Sequence, residues 1–299
     1  MVYLKNIFVV AFLGIALFFS ACNNGGNNVE EQIDDSINEE EMVSDDLDKA
    51  KQVFYSLPSP IETAMLMKRA GAKYNEEFLN NIANLPNYTT TKSMALNLGV
   101  FSADLSFASM FDQSQASVKY LTATKKLAEN LGILNAVEQS TVKRMEGNVN
   151  NRDSLMEIIS ETLMNSNSFL KENDRAEVAA LILAGGWIEG LYIATKIAKS
   201  TAENKELVNR IVDQRLSLKT LNSLLEEYKT DENIKAVYED LKKISDLYDQ
   251  VEVSTSKIEM VEAKGESTTL KSKTDIQITD KVFNEICTTV DKLRNNITK

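Results

Sequence analysis

Two carboxylates stand alone in long apolar stretches, and their type and setting are what could carry chemistry here. Asp104 is the single charged side chain of residues 93–111, and Glu189 is the single one of residues 178–195. A carboxylate among apolar neighbours is costly unless it is ion-paired or hydrogen-bonded. Three chemistries follow. The acids could be structural, held by Arg69, Lys73, Arg175, Tyr120 or Tyr192. They could line a ligand pocket walled by Trp187 and Tyr192. They could act as a catalytic pair, as two carboxylates do in hydrolases, but nothing in the spacing brings them together at the separation such chemistry requires. The structural pair is the reading that demands least.

What the chain lacks narrows the field. It contains no histidine, which removes histidine triads, histidine metal sites and the usual proton shuttle at neutral pH. Phosphate-binding loops, GxSxG elbows and dinucleotide glycine fingerprints are absent. No Asp/Asn-rich loop has the spacing of a calcium site. No metal and no cofactor are therefore expected, and the balance leans away from an enzyme. Without a clustered basic patch, nucleic acid is not an expected partner.

The elements that must position the acids are helices. No proline follows Pro86 and glycine is sparse, so long helices are the natural outcome. Start signals recur at Ser59-Pro60-Ile61-Glu62, at 112–115, at 135–138 and at Asp231, while Gly71, Gly132 and Gly147 read as stops. The pattern predicts helices near 45–56, 60–71, 75–84, 91–111, 113–131, 136–146, 152–171, 174–200, 203–229, 232–250 and 279–297. The Thr/Ser/Lys-rich stretch 251–278 alternates at strand period around Ile276-Gln277-Ile278 and predicts a small hairpin or extended arm. The expected fold is all-α, a bundle or helical-repeat-like array, with a helical domain at 49–250 and, at 251–299, an arm and last helix packing back on it.

The two acid-bearing segments are apolar around most of the helix, which predicts a buried centre rather than a membrane span. They also align with each other at an offset of 86: Gly99, Leu105 and Ala108 match Gly185, Leu191 and Ala194. The acids fall one position apart in this alignment, about 100° around a helix, which argues against equivalent roles. Gly99 and the glycines at 185, 186 and 190 would let neighbouring backbones approach closely. Cys287 sits in the apolar pattern of the last helix and reads as a buried small hydrophobe.

The N-terminus has a different logic. Lys5 precedes an apolar run of 13 residues, 7–19, which would span roughly 20 Å as a helix against a hydrocarbon core of roughly 30 Å. That suits an export signal, residues 1–21, better than a permanent span. Phe19-Ser20-Ala21-Cys22 resembles a lipobox, with Phe19 where leucine is more usual. The resemblance implies cleavage before Cys22, lipid on its thiol, and partnership with a membrane through that lipid. Residues 22–48 then form an acidic tether, with ten acids and no Lys or Arg between Asn23 and Asp48. Such a segment should be self-repelling and solvated. From Lys49 onward the charges nearly balance.

Acid-rich stretches after a lipidated cysteine resemble surface-export signals of Bacteroidota lipoproteins. The stretches 57–62, 70–74 and 95–101 likewise resemble helical lipoproteins of Bacteroidota, which carry no assigned activity. The resemblance implies a cell-envelope protein held on the outer membrane. The expected role is a binding or scaffold module, with an envelope protein as candidate partner. An envelope hydrolase using Asp104 and Glu189, or a purely structural envelope component, are the alternatives.

Overall fold

The two apolar segments become the two central helices. The structure is a computed structural model that describes residues 72–134, 139–201, 205–255, 259–262, 268–271 and 274–299. The expected lipobox and acidic tether, the helices expected at 45–56 and 60–71 and the start signal at 135–138 lie outside the described residues. The helices are α1 (Thr91–Met110), α2 (Ser114–Asn130), α3 (Gln139–Gly147), α4 (Arg152–Glu172), α5 (Ala176–Ser200), α6 (Lys205–Glu227), α7 (Glu232–Tyr248) and α8 (Asp280–Thr298). Among the described residues this is an all-α bundle with a small β arm.

The arm consists of β1 (Glu252–Thr255), β2 (Glu259–Glu262), β3 (Thr268–Lys271) and β4 (Thr274–Gln277). β1 pairs antiparallel with β4, and β2 with β3. The expectation of a hairpin in this stretch holds, and α8 returns to pack on α5, α7 and α1.

Local chemistry accounts for most boundaries. Thr90 and Ser93 form a reciprocal capping box at the start of α1, Asp231 accepts from Asn233 N and Ile234 N at α7, and Thr279 accepts from Val282 N at α8. Gly132 ends the α2 turn at φ +72°, a conformation glycine adopts without strain. Two expectations fail. Asp112 is not a cap: its backbone takes φ +58°, and α2 starts after Gln113 without a side-chain cap. The helix expected at 75–84 is instead two short 3-10 turns, Glu76–Phe78 and Ile82–Asn87. Asn75 and Asn81 each accept from the backbone N–H two residues on. Such local bonds compete with a continuous helix.

The core centres on α1 and α5, which pack on each other more extensively than any other pair. Gly99 and Gly185 make this approach feasible. A Cβ on Gly99 would lie 2.0 Å from the Ile182 carbonyl oxygen, and one on Gly185 would lie 2.0 Å from the Leu96 carbonyl oxygen. The contacts are reciprocal under the same offset of 86, so the crossing has approximate twofold symmetry. Gly186 has ordinary contacts, and a Cβ on the exposed Gly190 would meet nothing within 4 Å. Only two of the four glycines are therefore needed for close approach.

The pairing runs in the same sense along both helices, with Gly99 against Gly186 and Asp104 reaching Glu189. Parallel neighbours cannot be joined by a short loop, and α2, α3 and α4 make the return. α5 is the one described helix long and apolar enough to cross a membrane, with mean hydropathy 1.6 in its most apolar window, but 78% of that window is buried inside the protein. It is the central helix of the core. Cys287 is buried on α8, as its place in the apolar pattern implied, and burial pushes its thiol pKa up.

Candidate functional site

Asp104 and Glu189 meet. α1 and α5 carry them to the same side of the glycine crossing, where both are 0% exposed and their carboxyl groups hydrogen-bond to each other. Glu189 is also gripped by α8: Arg294 Nε donates to Oε2 at 2.9 Å and its second guanidinium nitrogen to Oε1 at 3.0 Å. This bidentate geometry is the strongest form of such a pair. The Arg294 guanidinium also stacks over the Tyr192 ring, 4.6 Å from its centroid. Lys196 approaches the same ring at 4.9 Å and pairs with Asp291 of α8.

Two buried carboxylates and one arginine would leave a negative charge in the core, so one carboxyl must hold a proton. Asp104 is the holder. Burial pushes its pKa well above the ordinary carboxylate range, and the adjacent Glu189 charge pushes it further. Glu189 is also raised by burial, but Arg294 pulls it back. Asp104 Oδ2 accepts from Asn80 N at 3.1 Å, whereas Oδ1 has no other partner. A proton on Asp104 donated to Glu189 leaves the cluster neutral. The two acids thus play different roles, as their one-position mismatch suggested.

Asn80 is the hub of the surrounding network. Lying between the two 3-10 turns and fully buried, it donates through Nδ2 to Tyr88 Oη (2.9 Å) and Asn97 Oδ1 (3.2 Å). Its Oδ1 accepts from Asn84 and its carbonyl accepts from the Tyr120 hydroxyl. The network ends on α8: Tyr88 Oη donates to the Thr298 carbonyl at 3.0 Å, and Asn97 Nδ2 to the Ile297 carbonyl at 2.9 Å. The final carbonyls of a helix lack intrahelical donors, and here side chains from elsewhere in the fold supply them. Burial raises the Tyr120 and Tyr88 hydroxyl pKa values, so both stay protonated and able to donate.

The expected partners need correction. The cation is Arg294, not Arg175, whose guanidinium donates to the Leu131 carbonyl at 2.9 Å. Arg69 lies outside the described residues, and Lys73 is no partner of either acid. Tyr120 touches the cluster through Asn80, and Tyr192 through Arg294. Trp187 turns the other way and donates from Nε1 to Ser217 of α6 at 3.0 Å. The four residues expected to form one pocket (Asp104, Glu189, Trp187 and Tyr192) are therefore split. Arg294 did carry a signal. It falls on the buried stripe of Ile286, Val290 and Leu293, where a cation has no place without an anion. Asn80 gave none, lying inside the stretch 75–84 that the sequence pattern reads as a helix.

A second feature lies beyond the cluster. A cleft of about 90 Å³ opens between α1, α2, α3, α4 and α5, walled mainly by leucine, isoleucine, alanine, valine and methionine. None of Asp104, Glu189, Trp187 or Tyr192 lines it. Half-buried Ser102, Ala128, Leu163 and Leu183 mark where it reaches the surface. Among the described residues no group of acids or cysteines is placed to hold a metal ion. No protein-family model, curated protein or solved structure matches the chain.

Proposed function

We propose that the chain is a lipid-anchored protein of the cell envelope, held on the outer membrane and serving as a binding or scaffold module. The observation that carries this reading is Phe19-Ser20-Ala21-Cys22 directly after a 13-residue apolar run and before an acidic tether. Two or three acyl chains on one lipidated cysteine anchor far more firmly than a single chain, which binds only reversibly. The tether then holds the helical body off anionic headgroups by like charge. The partly open apolar cleft supports binding over a purely structural role. The hydrolase alternative has its two carboxylates in contact, but neither is accessible to water or substrate.

Labelling with radioactive palmitate tests the anchor. Wild type should incorporate label and Cys22→Ala should not; equal incorporation overturns the reading. Affinity capture from crosslinked envelope with the intact lipoprotein then tests the scaffold role, and recovery of no envelope partner argues against it.

A further inference from the structure

The cleft wall has a feature that packing does not explain. Asn167 of α4 is 6% exposed, and its Nδ2, itself buried, donates to nothing. A buried amide donor without a partner is destabilising until something accepts from it. Three other polar residues of the wall behave differently. Ser102, Thr124 and Thr162 each spend their hydroxyl proton on a carbonyl of their own helix. What they leave facing the cleft is effectively apolar. One cation, Lys125, stands at the rim, in an exposed 3.5 Å pair with Glu146. Such a pair contributes little and exchanges readily.

We infer that the cleft binds a short aliphatic carboxylate or acyl group, the chain against the apolar wall and an oxygen accepting from the Asn167 amide. The inference rests on the binding reading above but not on the lipid anchor. The open side of the cleft lets a longer chain continue past Ala128 and Leu183. Lys125 favours an anionic head over a cationic one.

The test uses the mature chain from residue 22 carrying Cys22→Ala, in detergent-free buffer, with hexanoate and hexylammonium as probes. Hexanoate should raise Tm saturably and show saturation transfer to its methylene protons, and hexylammonium should do neither. Ala128→Phe, which fills the half-buried mouth, should abolish the hexanoate response. Asn167→Leu should raise the ligand-free Tm by removing the orphaned donor, and should weaken hexanoate about tenfold. Absence of a saturable hexanoate response in the parent chain overturns the inference, as does an unchanged response in Ala128→Phe. Equal binding of hexylammonium, or full affinity in Asn167→Leu, overturns the assigned head-group chemistry. If hexanoate fails while envelope proteins are still captured, the ligand class falls and the scaffold reading stands.

Discussion

The α1–α5 pair faces two environments, one that gathers charge and one that is almost free of it. Toward α8 and the 3-10 turns, Asn80, Asn97, Asp104, Glu189 and Arg294 all find partners, and one shared proton balances the charge. Toward α2, α3 and α4, the wall is apolar and Asn167 is left with an idle donor. The first side is closed and charge-paired; the second keeps an open cleft. Chemistry-bearing residues are therefore a poor guide to function here: the charged cluster fastens helices together, while the plain apolar side retains room for a guest.

Substitutions can sharpen or break this contrast. The largest effect is expected at the crossing itself. Gly185→Ala would drive a Cβ to 2.0 Å from a backbone oxygen, and neither backbone can yield. It should prevent folding or cost more than about 4 kcal/mol, read as loss of a cooperative unfolding transition; a normal Tm would show that the helices are not so closely apposed. Next comes Arg294→Ala, which strands Glu189 in the core. Chemical denaturation should show a loss of about 3–5 kcal/mol, and a loss below 1 kcal/mol would mean that the pair does not hold α8.

Asp104→Asn should have a smaller effect that depends on pH. An acid whose pKa is raised by folding contributes its stability fully below the unfolded value, near 3.9, and loses it as pH rises toward the folded value. Wild type should therefore lose stability as pH climbs from about 4 through the raised pKa of Asp104. Asparagine supplies the same donor to Glu189 at every pH and should flatten that slope. Denaturant midpoints measured from pH 4 to 9 decide the matter: parallel profiles would place the shared proton elsewhere. The smallest effect is at Gly190, exposed within α5 with free space around its Cα. Gly190→Ala should stabilise by about 0.5–1 kcal/mol, and a destabilisation would mean that this face is covered.

Helix positions were largely legible because their causes are local. The absence of proline, the cap at Asp231 and the turn at Gly132 each act within a few residues. The burial of Asp104 and Glu189 was legible for the same reason, since each stands alone in an apolar run. Their meeting was not, because it depends on two helices crossing at Gly99 and Gly185, 86 positions apart. Arg294 reaches Glu189 across 105 residues, and no periodicity within one helix reports such a distance. The loss of helix at 75–84 was partly hidden: beside the local Asn75 and Asn81 bonds, Asn80 is drawn off the helical path by Asp104, Asn97 and Tyr120 from other helices. The cleft was invisible because a void is a property of five helices together and of no residue alone.

The span between Glu189 and Arg294 also bears on how the chain assembles. Contacts so far apart in sequence form late, because closing a long loop costs entropy before it returns anything. A polypeptide threaded through a translocation channel from its N-terminus would carry Glu189 clear of the pore well before Arg294 emerged. Until then the core holds an acid with no counter-charge and a last helix not yet seated. In such a passage the Glu189–Arg294 pair could form, and the last helix seat, only after residue 294 had emerged.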